Sequence, residues 1–430
     1  MMPLPIPPLR LAAPPLSGRA DAATTLSAVA RLVASGTAVS KAELGPAAGL
    51  ARTTVSGAVD ELLARGVLRL NGTRPTPGRG RPADRLELSP DSGVVLLADV
   101  GAHGAHLAVV DLSQRVLGHT HVLVDVRDGP ETVLDLIETA FDALLPDGAV
   151  RAVVIGLPGP VDGQLGQPVR PPIMPGWHAY PVVERLRRRH GCPVVLENDV
   201  NLRALGEARA LPPDQSPLLF VKVGTGIGGG LITQDGALHH GADGAAGDIG
   251  HIRVRGAPDV VCVCGNVGCI EAVASAHAIA RRRGVDVTDL RALIAHGDTE
   301  ALALVREAAG LVGEVVATLV HFANPARVTI GGSVTAASDE LLAGVRSVVY
   351  QRALPLATRN LVLTGSTLGE YAGLAGAAVL GIEQVLSPAV VPTLNPTPRR
   401  AHTVKSCRAC PRRIGPPGTS RLAQVPPTGS

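Results

Sequence analysis

Apolar residues near the start of the chain recur at helical spacing three times and then switch to alternation. Leu26, Val29, Ala30 and Val33 form the first stripe, and Gly36 stops it. Ser40 with Glu43 three residues later has the form of a capping box opening a second helix, which ends near Gly49. From about Arg52 to Arg65, Val55, Val59, Leu62 and Leu63 share one face, while Arg52, Thr53, Ser56 and Asp60 share the other. Helix, short helix, glycine-containing turn and amphipathic helix is the order of a helix-turn-helix. Val67–Leu70 and Arg85–Leu88 then alternate as half-buried strands do, which predicts a wing. The loop between these strands carries Arg79 and Arg81 among glycines, a pattern suited to a narrow, negative minor groove.

From about residue 89 to 386 the pattern alternates strands with helices. Val94–Val100 reads as a strand ending in Asp99 and Gly101, Leu107–Val110 as a second, and Glu131–Leu145 as an amphipathic helix. Val150–Ile155 leads into Gly156-Leu157-Pro158-Gly159-Pro160, Val194–Leu196 into Glu197-Asn198-Asp199, and Leu218–Val223 into a glycine loop. Short apolar strands that end in Gly, Asp and Asn place polar groups at one edge of an α/β sheet, where ligands bind. At 430 residues, two or three folding units are expected. The boundaries read as a 1–22 disordered extension, a 23–88 winged helix-turn-helix, an 89–386 α/β domain and a 387–430 disordered tail. Both ends are rich in Pro, Gly, Ser and Thr without periodicity.

Charge divides the chain in the same places. Residues 1–88 hold eleven Lys/Arg against six Asp/Glu, residues 387–430 hold seven against none, and the middle holds 22 against 31. A basic end that also carries a helix-turn-helix pattern suits a polyanionic partner. Prolines interrupt any apolar run that could form a signal peptide, and no stretch of about 18 apolar residues could span a bilayer, so a cytoplasmic protein with no membrane partner is expected. With aromatics at 2%, Val, Leu, Ala and Ile must fill the cores.

The densest chemistry follows Gly250-His251. Cys262, Cys264 and Cys269 form Cys-x-Cys-x4-Cys with Gly265 and Gly268 between them, and Glu271 follows. One imidazole and three thiolates make a closed tetrahedral set of the kind structural zinc requires, which predicts His251, Cys262, Cys264 and Cys269 as ligands. A site of that sort would fix the neighbouring Glu271. Cys407 and Cys410 in the basic tail amount to half a zinc site with no further ligands.

The run Gly224-Thr225-Gly226-Ile227-Gly228-Gly229-Gly230, the segment Gly241 to His251 with Gly247-Asp248-Ile249-Gly250, and the cysteine cluster together resemble the signature of the ROK family of repressors and sugar kinases. The likeness covers about 24–386. It implies a two-lobed, actin-like ATPase fold of the sugar-kinase, ribonuclease H-like class, with a sugar in the cleft. It places sugar contacts at Asn198, Asp199, Asp248, His251 and Glu271, with His251 facing zinc through one nitrogen and sugar through the other. In a kinase, Asp199 would be the catalytic base for the attacked hydroxyl. Asn198 and Asp199 also suit plain capping of a helix beginning near Val200.

The resemblance further implies nucleotide contacts at Asp99, Gly101, Gly224, Thr225, Gly226, Gly331 and Gly332. Two departures bear on activity. Asp248 stands where the family usually has Glu, one methylene shorter. The first phosphate loop, expected as Asp-x-Gly-Gly-Thr, reads Asp99-Val100-Gly101-Ala102-His103-Gly104 and lacks the Gly-Thr pair that lets backbone N–H groups reach phosphate.

Together these features predict a sugar-responsive regulator, expected to repress carbohydrate genes. Its partners are double-stranded operator DNA and a sugar or sugar-phosphate effector, and it acts as a homodimer or homotetramer. Arg52, Thr53, Thr54 and Ser56 would enter the major groove, although Gly57 weakens that helix. The alternatives are an ATP- and Mg-dependent sugar kinase with an appended DNA-binding domain, and a helix-turn-helix used only for protein contacts.

Overall fold

The structure is a computed structural model that describes residues 4–13, 20–74, 83–145, 148–256 and 258–395, all within one compact unit. Its N-terminal part is built as the apolar pattern requires. Asp21 caps α1 (Ala22–Ala34) by accepting the Thr24 N–H at 2.7 Å. Ser40 opens α2 (Lys41–Ala48), and Gly49 closes it in the left-handed conformation at φ 65°. Glu43 accepts from Val39 N at 2.9 Å, one residue earlier than a capping box would have it. Helix α3 (Arg52–Ala64) buries Val55, Ala58, Val59 and Leu62 and leaves Arg52, Thr53 and Thr54 exposed and Ser56 half-buried. Strands β1 (Leu68–Arg74) and β2 (Ala83–Leu88) pair antiparallel with Leu68 opposite Leu88 and Leu70 opposite Leu86. Arg79 and Arg81 lie outside the described residues.

The remainder forms two lobes. In the first, β3 (Val94–Val100), β4 (Ala105–Asp111) and β5 (Val116–Val122) form a meander. Then come α4 (Pro130–Leu144), β6 (Val150–Leu157), the two-residue strands β7 (Val161–Asp162) and β8 (Gln167–Pro168), α5 (Val182–His190) and β9 (Val194–Asn198). The sheet order is β5-β4-β3-β6-β9, with β3, β6 and β9 parallel. Every residue of β3 is buried because helices cover both faces: Leu96 and Ala98 pack in one core with Phe141 and Trp177, and Val95 and Leu97 pack in another.

Helix α6 (Asp199–Ala210) leads into the second lobe. There β10 (Leu218–Val223) and β11 (Ile227–Ile232) are followed by α7 (Ile270–Ala274), α8 (Ala276–Arg283), α9 (Val287–Ala295) and the long α10 (Thr299–Ala323). Strand β12 (Arg327–Gly331), α11 (Ser333–Ala337), α12 (Glu340–Arg352), α13 (Pro355–Thr358), β13 (Val362–Gly365) and α14 (Ala372–Val385) complete it, in sheet order β11-β10-β12-β13. Helices α6 and α14 cross through glycine. A Cβ on Gly206 would strike the Ala372 carbonyl, and one on Gly376 would strike that of Leu202. No helix among the described residues is long and apolar enough to cross a membrane.

Three expectations are corrected. The glycine run after β10 is a loop only at Gly224–Gly226. Gly228, Gly229 and Gly230 belong to β11, and glycine is needed there because Cβ atoms at 228 and 230 would lie 2.8 Å from Val200 Cγ2 and 2.7 Å from Ala204 Cβ of α6.

Disorder was expected of residues 1–22, but residues 4–13 form a strap with Leu4, Leu9 and Leu11 buried. Prolines forbid a helix there but not an extended segment. Its backbone is satisfied from outside, by Leu9 N to Gln114 Oε1 at 2.7 Å, Arg10 N to Arg209 O at 2.9 Å and Ala12 N to Glu383 Oε1 at 2.6 Å. Disorder was also expected from residue 387 onward. Residues 387–395 instead pack Val390, Val391 and Leu394 into the core shared by α1, α3 and α14.

Candidate ligand cleft and metal centre

A cavity of about 740 Å³ lies between the lobes, and its wall carries Asn198, Asp199, Asp248, His251 and Glu271. Asp99, Gly101, Gly224, Thr225, Gly226, Gly331 and Gly332 line the same space. Asp99, Gly101, Asn198, Asp199, Gly224, Thr225, Gly226, Gly331 and Gly332 stand at or just beyond the C-terminal ends of β3, β9, β10 and β12, whereas Asp248 and His251 come from the segment after β11 and Glu271 from α7.

Asn198 does both things its sequence position allowed. Its Oδ1 caps α6 by accepting from Val200 N at 2.8 Å and Asn201 N at 3.2 Å, and its Nδ2 donates to Gly159 O at 3.0 Å while it lines the cavity. Asp199 is buried at the first residue of α6 and receives the Lys222 ammonium on Oδ2. Glu271 Oε2 accepts from Ile227 N at 3.0 Å, so the helix after the cysteine cluster is tied to the strand after the glycine turn. That carboxylate sits where a side chain on Gly226 would be, which accounts for glycine at the turn. Asp248 is exposed to the cavity and His251 half-exposed.

Asp99 is fully buried, and its Oδ2 accepts from Arg203 Nη2 at 2.7 Å. Burial pushes its carboxyl above the ordinary range, and the guanidinium opposes that shift. The β3–β4 turn closes through Gly101 N to Gly104 O at 2.8 Å. Histidines gather beside it. The rings of His106 and His121 lie 4.6 Å apart, and burial together with His121 holds His106 down to about 4.

Lys222 and Arg203 were not singled out from sequence. A lysine inside the apolar strand Leu218–Val223 was the available signal for the first. Arg203 lies one turn from Asp199 on α6 and carried no signal of its own.

His251, Cys262, Cys264 and Cys269 converge, with one donor atom from each lying within 4.8 Å of all the others. Cys262 Sγ is 3.6 Å from His251 Nδ1, and Cys264 Sγ is 3.8 Å from Cys269 Sγ. Tetrahedral zinc at its usual bond lengths would set an S–S edge at about 3.8 Å and an N–S edge at about 3.6 Å. Two edges of the donor set therefore match such an ion, and its one imidazole and three thiols are the right chemistry for it. Gly265 and Gly268, at φ 90° and 75°, supply the positive-φ turns that bring the thiols round.

Residues 95–384 match the ROK family model. The chain belongs to the ROK family. The xylose repressor of Caldicellulosiruptor bescii is 28% identical over 375 residues, covering 81% of this chain and 93% of that protein. A solved ROK family transcriptional regulator, described as a homolog of the E. coli MLC protein, covers 86% of this chain and 98% of its own at a TM-score of 0.71 and 24% identity, which places the fold. A ROK glucokinase from Streptomyces griseus, solved with glucose and AMPPNP, covers 67% of this chain and 99% of its own at a TM-score of 0.59 and 29% identity. The mixed α/β, actin-like sugar-kinase fold is thus shared with regulators and kinases alike.

Proposed function

We propose that this ROK protein is a sugar-responsive transcriptional repressor in which the cleft senses a sugar and the N-terminal helices and hairpin hold operator DNA. The observation that carries the reading is that the likeness to the xylose repressor covers 81% of this chain and 93% of that protein, more than the segment 95–384 matched by the family model. We read the additional coverage as reaching into the helices and hairpin that precede the cleft lobes. In this reading residues 23–88 are the DNA-binding domain and 89–386 the sensor. Arg52, Thr53, Thr54 and Ser56 face the major groove from the start of α3, and Arg79 and Arg81 serve the minor groove.

Asn198, Asp199, Asp248, His251 and Glu271 supply the convergent carboxylates, amide and imidazole that hold a polyol's hydroxyls. Zinc on His251, Cys262, Cys264 and Cys269 stiffens the loop and fixes Glu271. Operator symmetry calls for a homodimer or larger assembly.

The glucokinase likeness favours a second reading, ATP-dependent sugar phosphorylation with Asp199 as base. Two observations weigh against it. The Gly-Thr pair is missing at Ala102-His103, and Asp99 is enclosed and paired with Arg203, whereas a carboxylate serving Mg²⁺–nucleotide needs an open face for a hydrated ion.

The test measures binding of the DNA upstream of the chain's own gene with and without D-xylose or D-glucose, beside an ATP-consumption assay with the same sugars. Operator binding that a sugar weakens, with no ATP turnover, supports repression. Turnover abolished by Asp199→Asn establishes the kinase instead, and indifference to DNA at low salt removes the repressor reading.

A further inference from the structure

Glu197 is buried next to the cleft but is not part of its wall. Its Oε1 accepts from Asn198 N and from Asn201 Nδ2, each at 2.8 Å, and its Oε2 meets His240 Nε2 at 2.7 Å. His240 opens the loop that delivers Asp248 to the cavity. The His240 carbonyl accepts from Ala246 N at 3.1 Å, and Gly247 O accepts from Gly229 N at 2.8 Å. The segment from His240 to Asp248 is thus closed on itself and fastened at two points, to β11 through Gly247 and to β9 through the His240 side chain.

We propose that His240 is a positioning residue: its imidazole latches the Asp248 loop to Glu197, so that Asp248 and Asn198 face one ligand from opposite sides of the cleft. The proposal rests on the sugar-sensing reading of that cleft. His240 touches no ligand itself and acts through the strand that ends in Asn198. Half of its side chain is exposed, so the latch exchanges protons with solvent.

The hydrogen bond to Glu197 raises the His240 imidazole above its ordinary value, so protonation and latching favour one another. Glu197 is the charged group set against the ring, and the Asn201 amide on α6 faces the same carboxylate without charge. The sign follows from linkage. A histidine whose pKa is higher latched than unlatched favours the latched loop in full below about 6.5 and loses that contribution as pH rises through the raised value.

The experiment uses the full chain as wild type, His240→Ala and His240→Gln, with two readouts. Hydrogen exchange reports the loop without any ligand. Calorimetry with D-xylose and D-glucose at about pH 6 and about pH 8.5 reports the cleft. Wild type should bind more tightly at the lower pH. His240→Ala should exchange the amides of 239–248 on the order of tenfold faster and bind on the order of tenfold more weakly with no pH dependence, the loss expected of one charge-assisted hydrogen bond. His240→Gln keeps a donor for Glu197 and should recover most of the affinity while its pH profile stays flat.

Unchanged exchange in His240→Ala overturns the latch. Faster exchange with unaltered affinity overturns its role in positioning. If wild type binds neither sugar while loop exchange still responds to the substitution and to pH, the latch is upheld and the sugar reading is what fails.

Discussion

Replacing Arg203 with Leu tests the account of the cleft floor most directly. Asp99 is fully buried, and the Arg203 guanidinium at 2.7 Å is its ionic partner. Removing one member of a buried pair leaves an uncompensated charge and costs about 3–5 kcal/mol. For a chain of this size, with roughly 2 cal/mol/K of unfolding entropy per residue, that corresponds to a fall of about 4–6 °C in the thermal midpoint.

The pH dependence carries a definite sign. Burial already holds the Asp99 carboxyl above its ordinary value, and loss of the arginine removes the larger opposing effect, leaving only the weaker one of Lys222. A carboxyl whose folded pKa exceeds its unfolded one is a liability above the unfolded value, near 4, and the liability grows until pH passes the folded value. The deficit of Arg203→Leu relative to wild type should therefore be small near pH 4 and largest at neutral pH. The double variant Asp99→Asn, Arg203→Leu deletes the orphaned charge and should recover most of the loss. Scanning calorimetry at fixed rate on the three proteins decides it. A deficit below about 1 kcal/mol at neutral pH, or one equal at both pH values, would refute the reasoning.

Three further outcomes are expected. Cys264→Ser should cut bound zinc, measured by elemental analysis at about one ion per chain in wild type, because a tetrahedral site with three remaining donors binds far more weakly. Gly57→Ala should raise stability by about 0.5–1 kcal/mol, read as a denaturant midpoint, since the residue is inside α3 and a Cβ there meets nothing within 4 Å. Gly376→Ala should do the opposite, costing about 1–3 kcal/mol by overpacking, because its Cβ would strike the Leu202 carbonyl and force α6 away from α14.

What could be read from the sequence was whatever has a period or a fixed spacing. Helices α1 to α3 followed from their stripes and caps, and the ligand set of the cysteine cluster followed from donors placed within eighteen residues of His251 at the near end and Cys269 at the far end. The cleft residues came from a family likeness and from polar clusters at strand ends. Three kinds of feature escaped. Strand β11 contains three glycines, so its local propensity points to a loop; its antiparallel ladder with β10 makes it a strand, and the approach of Val200 and Ala204 accounts for glycine at 228 and 230. The strap at 4–13 has the composition of a disordered end, and its order comes from partners more than a hundred residues away, such as Gln114 and Glu383. Arg203 and Lys222 sit on elements whose pattern is otherwise ordinary, and their meaning arises only when β3 and α6 bring Asp99 and Asp199 to them.

The placement of α6 bears on how a ligand could reach the N-terminal helices. Its first turn holds Asn198 and Asp199 in the cleft. Its last turn holds Arg209, which contacts Glu383 at 3.1 Å and the strap at Arg10 O, also at 3.1 Å. The same end of α14 carries α1, through Ser27 Oγ to Leu386 O at 2.6 Å and Arg31 Nη2 to Glu383 O at 2.8 Å. A helix of twelve residues spans about 18 Å, so one rigid element joins the cleft to the seat of α1. Contiguity alone does not establish coupling; unequal ligand affinity for two arrangements of that seat does. If a sugar lowers affinity for DNA by some factor, bound DNA must lower affinity for the sugar by the same factor. Equality of the two factors, with both reduced when Arg209 is replaced, would assign the route to α6. Equal factors that survive the replacement would assign the coupling to another path through the shared core.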